Sequence, residues 1–349
     1  MKSPDPRMAL AQSFVVGIAG KKAADEELRL FSEHGLGGVI LFARNVEGPE
    51  QVWELNHTLR QAAFKSGRPP LFVMVDQEGG SVARLKAPFT DGPDLRDLGE
   101  SAGPAELMAH GAHMGRELAA AGFNWNLAPV VDVHAIEGGV MQKRSLGKDP
   151  SRVAELGAAF IQGLQSAGCL ACAKHFPGLG RTTLDTHKHK PVVDLSRSEL
   201  EGLELIPFKR AIAEKTAGIM VCHAVFKALD SLNPASMSPA VVGGLLRGEM
   251  EYDGLILTDD LEMAAVSASQ DPAQAAVAAY LAGCDLLLIC HHPRFALEAL
   301  EVLVRMAKEG RLNQKRIQEG LDRVLAAKSK LAPLPGPLAD LTRLLAASA

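Results

Sequence analysis

Aromatic side chains are scarce in this 349-residue chain: 12 Phe, 2 Trp and 2 Tyr, or 5%. A groove that stacks a run of sugars or bases calls for more exposed rings, so the expected ligand is small or held mainly by polar groups. An excess of one charge is missing too. Lys and Arg number 37 against 41 Asp and Glu, a net charge of −4, which argues against a broad nucleic-acid surface. No run reaches the roughly 18 apolar residues of a membrane span. The opening MKSPDPRMALAQSF carries Lys2 and Arg7 without the apolar stretch of a secretory signal. The expectation is a cytoplasmic protein with no membrane or nucleic-acid partner.

Cysteines number five, an odd count, at positions 169, 172, 222, 284 and 290. Most stand in apolar runs, so free, buried, small apolar residues are expected rather than a disulfide framework. Cys169 and Cys172 form a C-x-x-C with no second pair to complete a zinc site. Neither a P-loop, nor G-x-G-x-x-G, nor H-E-x-x-H is found. His187-Lys188-His189 and His291-His292 are weak metal signals by themselves. No metal and no cofactor are expected.

What is present is a series of short apolar runs rich in Val, Ile and Leu. They lie at 13–19, 37–42, 71–75, 124–133, 169–175, 218–224, 254–260 and 284–291. Continuous rather than alternating apolarity marks strands buried on both faces, hence a parallel sheet. Eight such strands alternating with helical stretches predict an α/β fold, a single (β/α)8 TIM-like barrel. Ser196-x-x-Glu199 reads as a capping box ahead of a helix with Leu200, Leu203 and Ile212 on its apolar stripe. Ile317, Leu321, Val324 and Leu325 mark a last amphipathic helix. Pro333, Pro335 and Pro337 then break the pattern. The expected organisation is one barrel over 1–332 and a C-terminal tail over 333–349.

Several strands run straight into charged or imidazole groups: Asp76-Gln77-Glu78-Gly79-Gly80, Lys174-His175, Cys222-His223 and Thr258-Asp259-Asp260. In a βα barrel these positions form the C-terminal mouth, where active sites are built. Strand alternation predicts that one of Asp259 and Asp260 faces that mouth while the other packs or hydrogen-bonds nearby, with Asp260 suited to capping the next helix. His223 reads equally as a satisfied core histidine, and Gly79-Gly80 as a plain turn. The connection 176–194, FPGLGRTTLDTHKHKPVVD, is long for a βα loop. It carries Asp185 two residues before His187. A carboxylate so placed can orient an imidazole and tune it for acid–base work near neutral pH.

The runs VDQEGGSVARL, KRSLGKDP, AKHFPGLGRTTLDTH and GLILTDDLEM resemble the family-3 glycoside hydrolases. The closest branch is the β-N-acetylglucosaminidases of peptidoglycan recycling, and the resemblance spans about residues 10–330. GGVILFARN, NLAPVVDV and HAVFKALDSLNPASMSP point to the same branch. The resemblance implies that Asp259 is the catalytic nucleophile and His187 the acid/base, with Asp185 as its partner. It further implies that Asp76, Arg84, Arg144, Lys174 and His175 hold a terminal N-acetylglucosamine. Leu179 stands where the family usually has His, Leu146 where it often has Phe, and Ser81 where Arg is common. The implied reaction is retaining double displacement on a small carbohydrate glycoside. Phosphorolysis of the same glycosyl-enzyme, a β-glucosidase specificity and a non-catalytic sugar-binding protein are the other readings.

Overall fold

The computed structural model describes residues 5–137, 139, 141–182, 191–267, 270–332 and 334–348. Eight parallel strands close into a barrel: β1 Phe14–Gly17, β2 Gly38–Leu41, β3 Phe72–Val75, β4 Trp125–Asn126, β5 Leu170–Phe176, β6 Gly218–Val221, β7 Leu255–Asp260 and β8 Leu286–Ile289. They pair in chain order, and β1 pairs with β8 to close the ring. Each of the eight apolar runs supplies one strand. Of the run 124–133, Trp125–Asn126 forms β4, and past Pro129, which has no amide to donate, Val130 bridges to Lys174 of β5.

A helix follows each strand. Those at Pro49–Lys65, Pro104–Ala120, Pro150–Ser166 and Pro272–Ala282 begin on proline, whose missing N–H falls where no helical partner exists. Asp149 and Asp271 cap two of them through their side chains. The expected capping box is present: Ser196 N donates to Glu199 Oε2 at 2.8 Å and Glu199 N to Ser196 Oγ at 3.3 Å. In Gln314–Lys328, Ile317 and Val324 are buried, whereas Leu325 is exposed. Leu338–Ser348 forms a further helix with Leu341 and Leu345 buried.

Burial on both faces explains the apolar runs. Val15, Ile40, Phe72, Met74, Trp125, Cys172, Leu257 and Leu286 fill the barrel interior, and their neighbours pack under the helices. All five cysteines are free and buried. Lys328 closes the N-terminal end of the barrel. Its Nζ donates to Gln12 Oε1 and Gly37 O at 2.7 Å each and lies 4.8 Å from the Phe72 ring centre. Among the described residues, no helix is long and apolar enough to cross a membrane.

Candidate active site at the barrel mouth

Strand alternation carries three charges into the barrel axis. Phe72 and Met74 face inward, and Asp76 continues their register; Cys172 leads to Lys174, and Leu255 and Leu257 lead to Asp259. A cavity of about 140 Å³ opens there, lined by Asp76, Glu78, Arg84, Arg144, Lys174, His175, Asp259 and Asp260. Besides its histidines, Phe42 is the one aromatic ring of that lining, as the paucity of aromatics suggests.

A tight turn after β3 brings Arg84 back over the cavity. Gly79 and Gly80 adopt φ of 113° and 53° in a short hairpin, so the glycine pair is indeed a turn. Gln77 pins this turn from below: its Oε1 accepts from Arg84 N and Leu85 N, and its Nε2 donates to Leu85 O. Arg84 Nη2 then lies 3.4 Å from Asp76 Oδ2. Ser81 sits on the exterior of the turn and donates to Asp94.

The deepest charges form one network. Lys174 Nζ lies 2.8 Å from both Asp76 Oδ1 and Glu78 Oε1. Arg144 donates to Glu78 through Nε at 2.8 Å and Nη2 at 2.7 Å, a two-pronged pair. Burial disfavours the Glu78 carboxylate, but the charges of Arg144 and Lys174 outweigh that and hold it far below the usual range. Arg144 Nη2 also lies 3.3 Å from His175 Nε2. On the other side of the ring, His175 Nδ1 lies 2.7 Å from Asp132 Oδ2. These contacts assign the proton to Nδ1, which donates to Asp132, and leave Nε2 to accept from Arg144.

Asp259 and Asp260 both line the cavity, and the Asp260 carboxylate hydrogen-bonds to nearby backbone amides, as expected of one of the pair. The register between β7 and β8 shifts between Leu257 and Asp260, which breaks the alternation. Asp260 braces the mouth: Oδ1 accepts from Glu262 N and Cys290 N at 3.1 and 3.2 Å, and its own N–H donates to Asp259 Oδ1 at 2.8 Å. Burial pushes Asp260 up to about 6. Burial also opposes ionisation of Asp259, but His175, His223, the Asp260 amide and Lys174 bring it below the usual value. His223 is a satisfied core histidine: Nδ1 meets Ser236 Oγ at 2.7 Å and Nε2 donates to Asp260 O at 3.0 Å.

The model of the glycosyl hydrolase family 3 N-terminal domain matches residues 7–327. The chain belongs to glycosyl hydrolase family 3. It is 37% identical over 297 residues to a beta-hexosaminidase of Alkalilimnicola ehrlichii, covering 83% of each chain. A family 3 β-N-acetylglucosaminidase structure from Paenibacillus sp. superposes with a TM-score of 0.89 at 38% identity. That match covers 93% of this chain and 62% of that one. A β-N-acetylhexosaminidase of Beutenbergia cavernae gives 0.86 at 32% identity, over 93% of this chain and 98% of that one.

Of the residues the family resemblance singles out, Asp76, Arg84, Arg144, Lys174, His175 and Asp259 converge on the one cavity. Asp185 and His187 lie outside the described residues. Two members of the network went unnamed as site residues in the sequence, Glu78 and Asp132. Their signal was a carboxylate beside or inside an apolar strand, where burial demands a partner. At the two departures from the family pattern that fall near the site, Leu179 is buried and donates its N–H to Asp132 Oδ1 at 2.7 Å, and Leu146 is buried. His291 and His292 are engaged at the rim, with His292 Nδ1 2.5 Å from Glu262 Oε1. Among the described residues, no three His, Cys, Asp or Glu side chains are grouped to hold a metal ion.

Proposed function

We propose that this family 3 glycoside hydrolase is a retaining exo-β-N-acetylglucosaminidase, removing terminal N-acetylglucosamine from peptidoglycan-derived muropeptides or similar glycosides. The observation that carries this reading is a small cavity at the barrel mouth with Asp259 at its wall, its carboxyl held below the usual value, and fixed donors and acceptors opposite it. Its size and polar lining suit one sugar ring rather than a stacked chain. The names of the relatives support N-acetylhexosaminides as the substrate class.

In this reading Asp76 accepts from sugar hydroxyls, while Arg84, Arg144, Lys174 and His175 orient the ring and its acetamide. Glu78 holds Arg144 and Lys174 in place. Asp259 attacks the anomeric carbon and forms a covalent glycosyl-enzyme as His187, oriented by Asp185, protonates the departing oxygen. His187 then takes a proton from water, which attacks the anomeric carbon and frees Asp259. An Asp–His pair thereby replaces the second carboxylate of most glycosidases. No metal or cofactor enters the scheme.

The test is turnover of N-acetylglucosaminyl–anhydromuramyl substrate and of chitobiose, with and without phosphate, in wild type and variants. Asp259→Ala is expected to abolish turnover and His187→Ala to reduce it by roughly 10²–10⁴-fold. Normal turnover by Asp259→Ala contradicts the assignment, and sugar-1-phosphate as main product replaces hydrolysis by phosphorolysis.

A further inference from the structure

Glu204 is a buried carboxylate outside the cavity, 1% exposed, on the helical segment Leu200–Glu204. It pairs with Arg181, whose Nε donates to Glu204 Oε1 at 3.1 Å. Among the described residues, Glu204 Oε2 has no hydrogen-bond partner. That oxygen lies under the backbone of Gly178, where φ is 133° and a Cβ would come within 2.5 Å of it. Burying a carboxylate with a single partner is costly, and an apolar side chain would pack a helix at least as well. Burial and the charge of Asp132 push Glu204 up to about 7 against the pull of Arg181, a measure of that cost.

The location gives the cost a purpose. After β5 the chain runs through Pro177–Thr182 and then reaches Asp185 and His187. This stem is tied at several points: Leu179 N donates to Asp132 Oδ1 at 2.7 Å, Gly178 N to His175 O at 2.9 Å, and Ala135 N to Gly180 O at 3.1 Å. Those ties hold backbone. The Arg181–Glu204 pair is a side-chain tie four positions before Asp185. On the far side of that stretch, Val192–Val193 pairs with Val225–Phe226.

We propose that Glu204 is a positioning residue for the reaction: through Arg181 it fixes the stem from which Asp185 and His187 extend, and so sets the reach of the acid/base. This rests on the assignment of His187 as acid/base. A displaced acid costs most where the leaving group most needs a proton. A merely structural residue would slow all substrates alike or lower stability alone.

The test is a series of aryl N-acetylglucosaminides whose leaving groups range from dinitrophenol to unsubstituted phenol. Glu204→Ala is expected to lower kcat on the most basic leaving group by roughly tenfold or more, with a much smaller loss on the dinitrophenyl substrate and KM nearly unchanged. Glu204→Gln, which keeps an acceptor for Arg181, is expected to recover most of the loss. Arg181→Ala, changed on the partly exposed partner, is expected to reproduce Glu204→Ala and keeps the test decisive should Glu204→Ala fail to fold. His187→Ala runs alongside. A steep leaving-group dependence in His187→Ala with a flat one in the Glu204 and Arg181 variants overturns this inference alone. A flat dependence in His187→Ala overturns the acid/base assignment, and the inference with it.

Discussion

His175 Nδ1 lies 2.7 Å from Oδ2 of Asp132, a carboxylate with no exposed side-chain surface. Asp132 also accepts from the backbone amides of His175 and Leu179, so one side chain joins the cavity to the stem of the long connection. Replacing it by Ala strands three buried donors, each costing about 1–3 kcal/mol. Asp132→Ala is expected to lower stability by at least about 3 kcal/mol, read by urea denaturation. It is also expected to cut kcat/KM, because the His175 ring loses the partner that fixes its proton. Asp132→Asn keeps one acceptor oxygen, so its stability loss should be smaller.

Glu78 answers two cations at once. Removing its charge leaves the half-buried Arg144 without its carboxylate partner and the buried Lys174 with Asp76 alone. Breaking a buried ion pair from one side costs about 3–5 kcal/mol. Glu78→Gln is expected to lose stability on that order and to raise KM more than it lowers kcat, since the displaced groups bind rather than react. Denaturation and steady-state kinetics on the same preparation check both parts. An unchanged KM would remove Glu78 from the binding network.

Lys328 predicts a pH dependence of stability. Burial lowers it to about 7, with only neutral oxygens as partners. Between about pH 7 and 10 the unfolded chain holds a proton on this lysine that the folded chain has released, so stability rises with pH across that window. Below pH 7 the full cost of the buried charge is present. The difference in unfolding free energy between wild type and Lys328→Met should therefore favour wild type progressively by roughly 2–4 kcal/mol from pH 6.5 to pH 10. A difference that does not change with pH contradicts the buried-charge explanation.

The barrel was legible because strands buried on both faces leave continuous apolar runs, and the charges that follow Val75, Ala173 and Thr258 stand where the runs end. Asp76, Lys174 and Asp259 could thus be placed at one mouth without coordinates. The inward turn of Asp260 could not, because it depends on a register shift against β8 that leaves no mark in the sequence. Asp132 stands inside a run read as one strand, just past the point where Val130 and Val131 last pair with Lys174. Arg144 and Glu78, and likewise Arg181 and Glu204, are partners far apart in the chain, and pairing at such separations is set by the closed barrel rather than by local pattern.

The central claim is that Asp259 becomes covalently glycosylated. The most direct measurement is mass spectrometry of the peptide carrying Asp259 after brief reaction with a slow, fluorinated N-acetylglucosaminyl donor. One glycosyl adduct is expected on Asp259, formed in wild type and absent from Asp259→Ala. An adduct on another residue, or full turnover of that donor through an acetamide-derived intermediate with no enzyme adduct, would contradict it.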